Sequence, residues 1–124
     1  MADLDDVRRI ALALPETAED NDRFAFSVLV KGKHKGFVWS WMERVHPKRP
    51  KVENLDVLGV RVDGEEAKEA LLAADPDKFF TEPHYNGFPA VLVRLAAVDE
   101  DELRELITDA WRCQAPPGLA LSAD

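Results

Sequence analysis

The chain has 124 residues, 46% hydrophobic and 32% charged, with a formal net charge of -8. That length holds one domain but not two, and it buries enough surface for a single core without disulfides or a structural metal. A lone cysteine, Cys113, excludes an intrachain disulfide, and the N-terminal segment lacks the basic-then-apolar order of a signal peptide. No stretch approaches the roughly 20 apolar residues of a membrane span, so the expectation is a soluble, cytoplasmic protein with no membrane partner.

In chain order, Leu4, Val7, Ala11 and Leu14 recur at spacings of three and four. This predicts a first helix with Asp3 as its N-cap and Pro15 as its stop. The acidic run at 16–23 reads as a loop. Phe24, Phe26, Val28 and Val30 then alternate as in a strand, the polar, glycine-containing run at 31–36 reads as a turn, and Phe37, Trp39 and Trp41 resume the alternation. Two such runs around a short link predict a β-hairpin, with Phe37, Trp39 and Trp41 on one face and turned to the core. Residues 43–54 contain two prolines and little periodicity, which suits a loop or a broken edge strand. A third strand is expected at 55–62.

Asp63 is the expected cap of a second helix in which Ala67, Ala70, Leu71 and Ala74 share a face. The run from Phe79 reads as a short strand, a turn around Asn86 and Gly87, and a stronger strand from Ala90 to Leu95. Asp99 and Glu102 have capping-box spacing at the start of a last helix. Its apolar stripe is Leu103, Leu106, Ile107, Ala110 and Trp111, and Pro116 and Pro117 end it. The fold class these elements define is α+β. It has two layers, with one mainly antiparallel five-stranded sheet, helices on one face, and the order α-β(3)-α-β(2)-α.

Charge is unevenly distributed along this order. Residues 31–51 hold Lys31, Lys33, Lys35, Arg44, Lys48, Arg49 and Lys51 against Glu43 alone, a local charge of +6, while the remainder carries -14. An acidic chain is a poor general binder of nucleic acid, but a segregated basic segment points to an anionic partner. These seven residues are the candidate nucleic-acid contacts, with the turn at 31–36 and the loop at 46–51 expected to lie together as one positive wing. The partner in that reading is DNA, bound weakly, without sequence preference and in a salt-dependent way.

Nothing in the sequence points to chemistry. His34, His46 and His84 have no metal-ligand spacing, so no metal site is expected. Cys113 lies beside the apolar stripe of the last helix and reads as a partly buried structural thiol. The acids at 99–102 suit a helix N-terminus, where negative charge is favoured. The glycines at 32 and 36 lack the spacing and the Lys-Ser/Thr ending of a phosphate loop. No catalytic residue, enzyme activity or cofactor is expected.

The ordered motifs "ALPE" (13–16), "FSVLVKGKHKGFVW" (26–39), "LLAADPDKFFTEPHYNGFPAVLVRL" (71–95) and "VDEDELRELITDAWRCQAP" (98–116) together resemble the MmcQ/YjbR family of small bacterial proteins. The resemblance spans nearly the whole chain, as one domain over 1–124 with 115–124 as a flexible tail. It implies the same α-β(3)-α-β(2)-α fold, akin to frataxin-type and secretion-chaperone-type folds, and a "double wing" suggestive of DNA binding. Where many members carry lysines after the terminal "AP", this chain has no basic residue beyond Arg112. The expected function is therefore that of a non-sequence-specific DNA-binding accessory protein. The alternative is a protein- or small-ligand-binding module with a chaperone-like fold and no catalytic activity, its protein partner unknown.

Overall fold

The computed structural model describes residues 2–115. Asp3 caps helix α1 (Leu4–Leu12) through a capping box in which Asp3 and Asp6 each accept from the other's backbone N–H. Val7, Ile10 and Ala11 carry its buried stripe. Strand β1 (Thr17–Glu19) follows, then β2 (Ala25–Val30), β3 (Lys33–Glu43) and β4 (Val52–Arg61). Helix α2 (Glu65–Ala74), β5 (Phe79–Phe80), a 3-10 turn (Pro83–Tyr85), β6 (Ala90–Arg94) and helix α3 (Glu100–Gln114) complete the order. The helix stop expected at Pro116 and Pro117 and most of the tail expected at 115–124 lie outside the described residues. None of the described helices is long and apolar enough to cross a membrane.

The sheet has six strands in the order β1-β2-β3-β4-β6-β5, every neighbouring pair antiparallel. The five-stranded expectation missed β1, which occupies part of the run read as a loop. Three residues are too few to show an alternation, and β1 exists by pairing Thr17–Glu19 with Phe26–Val28 at the sheet edge. Arg8 of α1 also holds Glu19 through two 2.9 Å hydrogen bonds. The hairpin turn is likewise tighter than expected. Only Lys31 and Gly32 turn, both with positive φ (51° and 80°), as a two-residue hairpin link requires, and Lys33–Gly36 belong to β3.

A register irregularity in β3 decides which of its side chains face the helices. Phe26 pairs with Val38 but Ser27 with Gly36, so Phe37 is the extra residue of a β-bulge. Phe37 and Val38 are consequently both fully buried in the core. Beyond the bulge the alternation is inverted: Val38 and Ser40 face the helices, while Trp39 and Trp41 face the opposite side of the sheet and are only half-buried. The expectation that Phe37, Trp39 and Trp41 share the core face fails at this one inserted residue. On the helix side Phe26, Val38, Val60 and Val91 lie opposite one another across four strands, and Ser40, Leu58, Val93 and Phe79 form the next row. Helix α3 seals these rows with Leu103, Ile107, Ala110 and Trp111, the last 2% exposed and donating its indole N–H to Pro15 O at 2.9 Å.

Helix α2 departs most from its expected pattern. Its N-cap is Gly64 at φ 99°, with no side-chain cap bond, in place of Asp63. Ala67 and Leu71 pack against the core, whereas Ala70 and Ala74 are exposed. The buried residue of this helix is Lys68, 2% exposed, whose ammonium donates to Tyr85 O and, at 2.9 Å, to Phe88 O. It thereby pins the 83–89 connection to the end of the sheet.

Candidate nucleic-acid interface

The seven predicted basic residues are all exposed, but they form two groups. Lys31, Lys33 and Lys35 surround the β2–β3 turn. Arg44, Lys48, Arg49 and Lys51 lie in the β3–β4 connection. Lys35, inside β3 (Lys33–Glu43), and Arg44, just beyond its far end, are nine residues apart, about 30 Å at roughly 3.3 Å per residue. The single joined wing is thus corrected to two wings at opposite ends of one strand. A loop attached to the far end of β3 cannot fold back along it, because β3 is paired with β2 on one side and β4 on the other. Lys35 lies opposite the buried Val28 and Lys33 opposite Val30, so both project on the helix side, near the α3 C-terminus where Gln114 donates to Gly36 O at 3.0 Å. In the second wing, Arg44 donates to Arg49 O (2.9 Å), and His46 Nδ1 accepts from the Lys48 backbone N–H (3.1 Å).

The two wings differ from the body in how their cations are used. Among the described residues, Arg8, Arg9, Lys78, Arg104 and Arg112 form ion pairs with body carboxylates. Glu102 raises the pKa of Lys78 through its hydrogen bonds, and Arg8 lowers that of Glu19 in the same way. Arg23 donates to Ser40 O at 2.6 Å, Lys68 serves two carbonyls, and Arg61 and Arg94 sit over the rings of Phe88 and Phe80 at 5.8 and 4.0 Å. Every body cation is therefore ion-paired, hydrogen-bonded or laid over a ring, with Arg61 and Arg94 held by rings alone. None of the seven wing cations is in an ion pair among the described residues, and Arg44 alone donates to protein.

The helix-free face holds functional candidates that the sequence pattern did not identify. Trp39 sits against Gly59, where an added Cβ would lie 2.1 Å from its Nε1, and it donates to Tyr85 Oη at 2.9 Å. Burial raises the pKa of Tyr85, which keeps its hydroxyl protonated as an acceptor for the indole. Trp41 meets Phe80 edge-on at 5.6 Å, and Phe88 meets both Trp39 and Tyr85 at about 6 Å. The available signal was the uninterrupted Phe37-Val38-Trp39, where strict alternation breaks and a bulge belongs.

Other candidates are placed as follows. His34 Nδ1 lies 3.3 Å from Ser27 Oγ, and His84 stands beside Glu82. Cys113 is half-buried, and burial pushes its thiol pKa up, away from the thiolate. It lines a cleft of about 650 Å³ between α2 and α3, together with Val60, Leu71, Leu106 and Arg112.

A six-stranded antiparallel sheet with α1 and α3 across one face and two exposed basic connections defines a small two-layer α+β protein. The chain belongs to the YjbR family, whose pattern it matches over residues 12–113. It is 41% identical over 120 residues to the uncharacterized proteins Rv2570 of Mycobacterium tuberculosis and Mb2600 of Mycobacterium bovis, covering 96% of this chain and 93% of each relative. Its fold is similar to that of Deinococcus radiodurans protein DR2400, a DUF419 domain protein in a crystal structure. The TM-score is 0.69 at 24% identity, over 97% of this chain and 83% of the other.

Proposed function

We propose that this protein binds nucleic acid through the phosphate backbone, with low sequence preference and without catalysis, and that its two basic wings make separate contacts. The observation that carries this reading is the contrast in cation use: body cations are ion-paired, hydrogen-bonded or laid over rings, while all seven wing cations are exposed and, Arg44 excepted, make none of these contacts among the described residues. Unpaired lysines and arginines release condensed counterions when they meet phosphates, which supplies sequence-independent affinity. The separation of about 30 Å between Lys35 and Arg44 corresponds to about nine base pairs at roughly 3.4 Å each, just under one duplex turn. Each wing can then reach a backbone position on the same side of a duplex while the acidic body stands off. Neither wing presents a recognition helix, consistent with contacts that position without reading bases.

Salt titration of a labelled duplex tests this reading. With two phosphate contacts per wing, log K against log salt should slope near about -3.6, from roughly -0.9 per contact. Lys33→Glu with Lys35→Glu should bring the slope to about -1.8, and Lys48→Glu with Arg49→Glu should do the same. An undetectable interaction at low salt, or a slope unmoved by both pairs, would sink the proposal.

The cleft between α2 and α3 favours a second reading, a small-ligand module with an apolar site. A ligand there would raise the melting temperature with little dependence on salt.

A further inference from the structure

We propose that the helix-free face of the sheet is a stacking surface for the bases of single-stranded nucleic acid. This rests on the phosphate-binding reading above and narrows it to a preferred substrate. Three independent features of the face support it.

The first is the set of aromatic rings. The bulge at Phe37 turns Trp39 and Trp41 away from the helices, and the register places Phe80 on the same face, opposite Leu92, which in turn lies opposite Gly59. Tyr85 and Phe88 join them from the 83–89 connection. Trp39 is fixed by Gly59 and by its bond to Tyr85, Trp41 by Phe80, and Phe88 remains 42% exposed. These are rigid, partly open rings, and placing them costs a ligand little ordering entropy.

The second feature is charge. Arg94 is exposed on this face above Phe80, and Arg61 lies above Phe88. Neither is in an ion pair among the described residues. Of the carboxylates beside the face, Glu43 is turned to Asn54, from which it accepts at 3.0 Å, and Glu82 to the backbone N–H of His84. Cations interleaved with aromatic rings suit a strand whose bases stack while its phosphates are held.

The third feature is continuity with a wing. Trp41 stands three residues before Arg44 on β3, and Val52, opposite Glu43 in the register, is 50% exposed beside it. A strand held by Arg44, Lys48, Arg49 and Lys51 therefore meets Trp41 first. A duplex keeps its base faces inside its own stack and can use only the wings.

The test compares three labelled probes: an oligothymidylate of about twelve nucleotides, a strand of the same length and charge that lacks bases, and a duplex of the same number of phosphates. The oligothymidylate should bind about tenfold tighter than either of the others and quench the emission of Trp39 and Trp41, with the buried Trp111 unaffected. Trp41→Leu should remove about tenfold of single-strand affinity while duplex affinity stays unchanged. Phe88→Ala, at an exposed position, should remove about fivefold and serves if the Trp41 variant does not fold. Equal binding of all three probes without quenching overturns the stacking face and leaves the wings standing. Binding of no probe overturns both. Quenching by polyglutamate and not by the oligonucleotide would make the face a docking site for acidic protein and overturn this proposal.

Discussion

On the helix side of the sheet, the rows through Val38 and Ser40 meet aliphatic and aromatic side chains of α1 and α3, and nearly every residue is fully buried. On the other side, Ala25, Trp39, Gly59, Leu92 and Phe80 lie opposite one another, covered by none of the described α-helices but by their own rings with Tyr85, Phe88 and arginines. The strands are the same, yet the two faces solve burial differently. The first removes apolar area from water with whole helices. The second lays large rings over small residues, Gly59 above all, and leaves their outer surfaces available. Stability should therefore concentrate on the helix side and recognition on the other.

The largest effect expected from this difference is at Trp111. It is the largest of the fully buried side chains, and its N–H satisfies Pro15 O. Trp111→Ala should lower the unfolding free energy by about 3–5 kcal/mol in chemical denaturation, through the cavity and the carbonyl left unpaired. A loss below about 1 kcal/mol would mean that the helix face does not carry the fold.

A smaller effect is expected at Gly59, on the opposite face. Any Cβ there collides with the Trp39 indole, so Gly59→Ala must displace the ring and break its 2.9 Å bond to Tyr85. The expected cost is about 1–3 kcal/mol, accompanied by a change in tryptophan emission. Gly36→Ala is the control, because a Cβ at Gly36 meets nothing within 4 Å, and it should stay within about 0.5 kcal/mol of wild type. Equal costs for the two substitutions would remove the distinction between the faces.

The sequence made the helix side legible and left the other side hidden, for a definite reason. Helical stripes such as Leu103, Ile107, Ala110 and Trp111 repeat over more than two turns, so a single misfit does not shift them. Strand alternation has period two, and one extra residue at Phe37 reverses everything after it. The seven wing residues were found by charge alone, but their grouping was misread because spacing along the chain does not reveal that one strand continues from Lys33 to Glu43 and holds them at opposite ends. Lys68 gave no signal at all. Its burial depends on carbonyls at Tyr85 and Phe88, which come together only in the folded chain.

The smallest expected effect concerns the point where the two faces meet the second wing. Glu53, near the start of β4, accepts from Ser40 Oγ at 2.5 Å and from Phe24 N at 3.1 Å, tying the entry to β2 and the strands β3 and β4 together just below Arg44. The Ser40 hydroxyl, and after it the Phe24 N–H, hold its carboxyl below the ordinary value of 4.5; burial opposes them, by more than the nearby Arg23 charge adds. A carboxylate with a depressed folded-state pKa contributes stability that is fully present above its unfolded value. That contribution is lost as pH falls through the lower, folded one. Glu53→Gln should therefore melt below wild type at neutral pH, and the gap should close as pH drops beneath 4.5. The other depressed carboxylates, Asp6, Glu19 and Glu100, titrate in both proteins and cancel from the difference. Because the wing hangs from this tie, duplex binding measured near pH 7 should weaken slightly in Glu53→Gln while stacking on Trp41 is retained. A melting gap that persists unchanged to pH 3 would place the role of Glu53 in its shape rather than its charge.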